Sequence, residues 1–137
     1  MELGKEITDL TYKIIGICME VHRELGPGFH ERYYQRALQL EFSHQHLAAK
    51  PQKYFSMKYK DVKIGKSFID FEIDGRLLLE IKSVSELTNL HLFQVLKYLQ
   101  LTNLNVALLV NFGKPKLEYK RILPPKKWQD FKEQRIN

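Results

Sequence analysis

Cysteine is almost absent from this chain, which has Cys18 alone among its 137 residues. One thiol excludes intrachain disulfides, four-cysteine zinc sites and cysteine-ligated iron–sulfur clusters. No apolar run approaches the roughly 20 residues needed to span a bilayer, and the first residues lack the basic-then-apolar order of a signal peptide. Repeats, low-complexity tracts and long linkers are also missing. We therefore expect one domain over residues 1–137, located in the cytoplasm and without a membrane partner.

Positive charge is in excess and unevenly distributed. The net charge is +6, but residues 50–66 and 113–137 each carry +5, and the remaining residues sum to −4. Basic segments beside an acidic centre suit a metal site that acts on a polyanion, because phosphates need cationic positioning and the metal needs anionic ligands. The alternative, which charge alone leaves open, is a solvated basic surface that serves solubility.

Apolar periodicity divides the chain into helices and strands. The predicted helices are Lys5 to Leu25, His30 to His46, Thr88 to Leu101 and a short basic helix after Pro124-Pro125 that contains Trp128 and Phe131. The predicted strands are Tyr54 to Tyr59, Lys66 to Ile73, Arg76 to Ser83, Val106 to Val110 and an edge strand Lys116 to Ile122, with turns at Asp61 to Gly65 and at Asp74-Gly75. This order predicts an α/β sandwich with a mixed central sheet flanked by helices.

The hairpin around Asp74-Gly75 is the most informative stretch. A two-residue turn would place Asp70 and Glu80 on opposite faces of the sheet. A three-residue loop Ile73-Asp74-Gly75 would instead pair Glu72 with Arg76 and bring Asp70 within one diagonal step of Glu80. It would also point Ile69, Phe71, Leu77, Leu79 and Ile81 to one face. The apolar pattern favours the three-residue loop, and with it a site that contains Asp70, Glu80 and Lys82.

Two carboxylates beside an amine have a specific chemical use. Asp70 and Glu80 are hard oxygen ligands suited to Mg²⁺ or Mn²⁺, and the backbone carbonyl of Ile81 could supply another. Lys82 could orient a nucleophile or stabilise negative charge on a phosphate in the transition state. An exposed Glu80–Lys82 ion pair with no catalytic role is the alternative that these residues alone leave open.

Two motifs in the sequence are similar to those of a known family. Asp70 followed ten residues later by Glu80-x-Lys82 resembles the bipartite motif of the PD-(D/E)XK nuclease superfamily, with Ile69 where the proline of its name would stand. Residues 28–34 match the G-x-x-E-x-x-Y signature of the GxxExxY protein family, which is assigned to that superfamily. The resemblance continues through Leu25-Gly26-Pro27-Gly28, Gln94 to Tyr98 and Asn111-Phe112-Gly113, and so covers nearly the whole chain.

The resemblance implies a fold, a reaction and a set of site residues. The fold would be restriction-endonuclease-like, with a core of helix, three strands, helix and strand. The reaction would be Mg²⁺- or Mn²⁺-dependent hydrolysis of phosphodiester bonds in nucleic acid, with DNA favoured over RNA and no iron–sulfur cluster. The implied catalytic residues are Asp70, Glu80, Lys82 and Glu31, supported by Gln94 and Tyr98 one helical turn apart. Two alternatives remain open: a catalytically silent module that binds nucleic acid or protein, and a homodimer formed through the edge strand at 116–122.

Overall fold

The computed structural model describes residues 4–126, in which three helices pack on a five-stranded sheet. The helices are α1 (Lys5–Leu25), α2 (Glu31–His44) and α3 (Asn89–Thr102). The strands are β1 (Ala49–Tyr59), β2 (Val62–Ile73), β3 (Leu77–Lys82), β4 (Val106–Asn111) and β5 (Glu118–Ile122). The predicted helix with Trp128 and Phe131 lies outside the described residues. Within those residues, no helix is both long and apolar enough to cross a bilayer.

The sheet is mixed, as the sequence predicts. Its strands follow one another in chain order, β1-β2-β3-β4-β5, so that β1 and β5 form the edges. Neighbouring strands are antiparallel except β3 and β4, which are parallel. Parallel neighbours need a crossover connection, and α3 lies in the segment that joins β3 to β4. The predicted α/β architecture and the edge position of the last strand are both confirmed.

The sheet separates two apolar layers. The larger layer packs α1 and α2 against side chains such as Phe71, Leu79 and Val110. The smaller layer packs α3 against Ile69, Leu78 and other side chains of the opposite face. All six residues of β4 are buried, which confirms the prediction from its unbroken apolar run.

The first hairpin is longer than predicted. Strand β1 begins at Ala49 and includes Pro51, a residue that an edge strand tolerates because no neighbour needs its missing N–H group. The predicted turn at Asp61 to Gly65 is wrong. The two strands instead join through Lys60 and Asp61, whose φ angles of 45° and 65° are those of a two-residue hairpin turn. Residues 62–65 consequently belong to β2.

The predicted register of the second hairpin is also wrong, by two residues. Ile73 pairs with Leu77 and Glu72 with Leu78, so the loop is Asp74-Gly75-Arg76 and Glu72 does not pair with Arg76. Asp74 and Gly75 both have positive φ angles, 55° and 66°, which accounts for the turn beginning one residue later. Because side chains alternate with a period of two, a shift of two residues leaves the same residues on each face of β3.

Ile69 is the exception to the predicted common face. It packs in the α3 layer, whereas Phe71 packs in the α1 and α2 layer. Pairing between β1 and β2 runs through Pro51–Phe71 and Lys53–Ile69 but omits Gln52 and Asp70, and Gln52 has a φ of 52°. The alternation of side chains therefore reverses at this point of the hairpin.

Candidate active site

Asp70 and Glu80 lie next to each other where β2 and β3 separate. The backbones of the two strands pair from Ile73–Leu77 to Phe71–Leu79. Beyond it, side chains bridge the strands: the Asp70 amide donates to Glu80 Oε1 at 3.0 Å, and the Ile81 amide donates to Asp70 Oδ2 at 2.7 Å. Each bond uses one oxygen of a carboxylate and leaves the other outside the pair. The proximity of these two acids is therefore present, although through a different register from the predicted one.

Burial disfavours the ionised form of both carboxyl groups and so raises their pKa values. The pKa of Asp70 is raised to about 6, chiefly by desolvation and also by the charge of Glu31, against the lowering effect of the Ile81 amide. Desolvation raises the pKa of Glu80 to about 8, and the negative charge of Asp70 adds to the effect. Glu80 is only 5% exposed. Two acids held together in low dielectric favour a bound cation or a proton, because either removes the cost of burying like charges.

Lys82 and Glu31 complete the charge distribution of the site. Lys82 is the last residue of β3, is half-buried, and lowers the pKa of both Asp70 and Glu80 through its positive charge. Glu31 is the first residue of α2 and raises both pKa values through its negative charge. The structure thus brings the four predicted catalytic residues within electrostatic range of one another.

Tyr34 fixes the loop that delivers Glu31 to the site, a role that the sequence analysis did not identify. Its ring is fully buried, its hydroxyl donates to the Gly26 carbonyl at 2.5 Å, and the Phe29 amide donates to the hydroxyl at 3.2 Å. Ser83, next to Lys82, donates its hydroxyl to the Phe29 carbonyl at 2.6 Å. The available signal was the tyrosine of the G-x-x-E-x-x-Y pattern, three residues after Glu31.

Gln94 and Tyr98 lie one turn apart on α3, as predicted, but their contacts are of different kinds. Tyr98 packs in the α3 layer, with its ring 5.3 Å from that of Phe55 and its hydroxyl 3.5 Å from Ser67 Oγ. Gln94 is exposed. Ser67 precedes Asp70 by three residues, so Tyr98 contacts the strand that carries the site. A supporting role for Gln94 and Tyr98 stays a prediction.

Comparison with known proteins decides the family. A family model described as the PD-(D/E)XK nuclease superfamily matches residues 8–122. The chain belongs to the PD-(D/E)XK nuclease superfamily. A search of curated proteins found no match.

A solved structure agrees with the family assignment at the level of the fold. The chain is similar to the crystal structure of SSO0001, with a TM-score of 0.57 and 16% sequence identity over 72% of this chain. It spans about half of that protein, 52% of its chain. The five-stranded mixed sheet with three helices is thus consistent with the restriction-endonuclease-like fold of PD-(D/E)XK proteins.

In this PD-(D/E)XK protein, the segment Asn111-Phe112-Gly113 contacts two residues next to the site, Tyr34 and Val84. Phe112 stacks on Tyr34 with ring centroids 4.5 Å apart. The Asn111 side chain accepts from the Val84 amide and donates to the Val84 carbonyl, each at 2.9 Å, and so fixes the chain just after Lys82. A Cβ atom at Gly113 would collide with the Val84 backbone, which restricts this position to glycine.

The donor set suits a small hard cation that keeps part of its own hydration shell. Within residues 4–126, no three His, Cys, Asp or Glu side chains are grouped closely enough to form a metal site by themselves. Asp70 and Glu80 present two adjacent carboxylates, and the predicted third donor is the backbone carbonyl of Ile81. Mg²⁺ is typically bound in this way, with one or two carboxylates and with water or phosphate oxygens at the remaining positions. The residues present therefore fit Mg²⁺ or Mn²⁺ better than a metal that needs a full protein cage.

Proposed function

We propose that this protein hydrolyses phosphodiester bonds of nucleic acid in a reaction that depends on Mg²⁺ or Mn²⁺, with DNA favoured over RNA. The observation that carries the proposal is the pair of reciprocal hydrogen bonds between Asp70 and the Glu80-Ile81 segment. The pair places two desolvated carboxylates side by side, with Lys82 and Glu31 in electrostatic range. Membership in the PD-(D/E)XK superfamily supports the same reaction class.

Asp70, Glu80 and the carbonyl of Ile81 are the proposed cation ligands. When bound, the cation would lower the pKa of a coordinated water and neutralise charge on the scissile phosphate. The two cross-strand amide bonds hold the carboxylates in place before any ligand arrives, at 3.0 and 2.7 Å. Such preorganisation means that little reorganisation is needed at the moment of reaction.

Lys82 and Glu31 are the groups proposed to act on the attacking water and the phosphate. The Lys82 ammonium group carries three donors that can orient the attacking water and stabilise the charge that develops on the phosphate oxygens. Glu31 provides a carboxylate acceptor for a water proton, and its position depends on the loop that Tyr34 and Ser83 hold. The buried Tyr34 also supports assignment of the chain to the GxxExxY family, because the tyrosine of that motif here holds the loop before α2 through its hydroxyl group.

Cleavage assays with a matched pair of lysine variants test the proposal. Purified protein is incubated with linear duplex DNA, plasmid DNA and RNA in Mg²⁺ or Mn²⁺. We expect Lys82→Ala to lower the cleavage rate by about 100-fold or more, the size typical of losing a transition-state donor. The control Lys97→Ala removes an exposed lysine of α3 and should cleave as the wild type does. Equal cleavage by the wild type and Lys82→Ala would indicate a contaminating nuclease and contradict the proposal.

A catalytically silent binding module is the second candidate, because the chain also presents an exposed basic hairpin. Calorimetric titration with Mn²⁺ separates the two functions. The proposed enzyme should take up Mn²⁺ in a manner that Asp70→Asn abolishes. A silent module should show the same weak uptake in both proteins while still binding nucleic acid.

A further inference from the structure

The first hairpin extends well beyond the rest of the sheet. Strand β2 runs from Val62 to Ile73, but it pairs with β3 only through residues 71–73. Residues 54–68 therefore continue as a two-stranded antiparallel ribbon, which we call the outer ribbon. At roughly 3.3 Å per residue, the six-residue step from Phe68 to Val62 carries it about 20 Å from its base. Asp70 lies on the same strand, two residues from the start of the outer ribbon.

One face of the outer ribbon is anchored and the other is free. Phe55 packs on Tyr98 of α3 and holds the base of the ribbon in place. Tyr54 and Phe68 are paired across the strands on the opposite face and are 56% and 51% exposed. Lys66 Nζ lies 4.6 Å from the centre of the Tyr54 ring. The free face thus combines exposed aromatic surface with a cation held against it.

The far end of the outer ribbon concentrates positive charge. Lys58 and Lys63 are directly opposite each other in the register, and Lys60 lies in the turn between them. All three lysines are exposed, and Asp61 is the one acid in the ribbon sequence. Like charges directly opposite each other destabilise an antiparallel pair. An anion placed between Lys58 and Lys63 would remove that repulsion, so the ribbon is complementary to a negatively charged partner.

We propose that the outer ribbon is a nucleic-acid-binding arm that lies along duplex DNA, with its lysines on the phosphate backbone. The inference rests on the proposed nuclease function, because the arm would bind the nucleic acid that the proposed active site cleaves. The major groove of DNA, about 12 Å wide, admits a two-stranded ribbon. Because the ribbon continues directly into Asp70, a duplex held along it lies close to the strand that carries the site. The cationic ribbon attracts the polyanion that the acidic site alone would repel.

Fluorescence anisotropy with a labelled 30-base-pair duplex tests the arm without any cleavage, because EDTA is present throughout. The ribbon variant Lys58→Gln/Lys63→Gln is compared with the control Lys5→Gln/Lys13→Gln, which removes the same charge from exposed positions of α1. We expect the ribbon variant to bind at least about tenfold more weakly. Its plot of log K against log salt should flatten by about 1.8, the loss of two phosphate contacts. The control should change affinity by less than about twofold.

Two results would overturn this inference while leaving the nuclease proposal standing. Equal losses in the two double variants would mean that general charge, and not the ribbon, governs binding. Unchanged DNA affinity of the ribbon variant would also overturn it, and a dimer that Ile64→Ser dissociates in light scattering would then assign the ribbon to a second copy of the chain. Conversely, ribbon-dependent binding without Lys82-dependent cleavage would support the arm and contradict the nuclease. Circular dichroism of each variant confirms that it is folded.

Discussion

Strand β2 divides at Asp70 into two halves with opposite surroundings. Toward Ile73 the strand lies between the two apolar layers, and it carries the acids Asp70 and Glu72. Toward Val62, beyond the buried Ile69, most of its residues are exposed, and it carries Lys63 and Lys66. One strand thus presents a desolvated anionic site at its base and a solvated cationic ribbon beyond it. The buried half gains its rigidity from packing, and the exposed half is free to present charge to a partner.

Truncating a buried side chain should give the largest difference in stability between the buried and the exposed half of the hairpin. Leu79→Ala empties a fully buried position on β3, directly opposite Phe71 in the buried half of β2. We expect it to lower the free energy of unfolding by about 2–5 kcal/mol, as buried leucine deletions do. The comparison Ile64→Ala lies in the outer ribbon, where the side chain is 66% exposed, and should cost less than about 0.5 kcal/mol. Urea unfolding curves of both variants measure the difference, and similar losses would mean that the ribbon is packed rather than free.

Much of this contrast could be predicted from the sequence, because it follows from periodicity. The bounds of α1 and the burial of β4 were predictable from apolar spacing and from an unbroken apolar run. The grouping of Asp70 with Glu80 was also predictable, because any three-residue loop in this hairpin brings the two acids close together across β2 and β3.

The remaining features depend on local geometry that the pattern does not record. A period of two cannot distinguish registers that differ by two residues, so the choice between the predicted and the observed loop depended on which residues take positive φ. The reversal at Gln52 is a single backbone angle, also invisible to hydrophobic patterning. Hydrophobic patterning does not predict the role of Tyr34, because the partner of its hydroxyl is a backbone carbonyl eight residues earlier, in the loop before α2.

Replacing Glu80 with a neutral residue tests whether the buried carboxyl group costs the protein stability when it is ionised. Burial raises the pKa of Glu80 to about 8, so the folded protein loses stability as pH rises from the ordinary glutamate pKa toward that value. In EDTA, Glu80→Gln should raise the free energy of unfolding by about 1–3 kcal/mol at pH 7.5, and the gain should vanish near pH 4. Thermal melts at both pH values measure this difference.

The matching control for Glu80→Gln is Glu86→Gln, at an exposed position four residues after Lys82. It should shift stability by the same small amount at both pH values. A destabilised Glu80→Gln protein at pH 7.5 would contradict the interpretation of the pair as desolvated acids. It would indicate instead that the ionised carboxylate is held by favourable contacts.

Charge reversal at one ribbon lysine should give the smallest change in stability, and that change should be a gain. Lys58→Glu places an acid directly opposite Lys63 and so converts a like-charge pair into an attractive one. We expect stability to rise by about 0.2–1 kcal/mol at low salt, and by less at high salt where exposed charges are screened. The same variant should bind duplex DNA more weakly than Lys58→Gln does, because it adds a negative charge to the proposed arm. A gain in stability with a loss of binding would show that the like-charge pair destabilises the ribbon but contributes to binding an anionic partner. Unchanged binding would show that Lys58 does not contact the DNA.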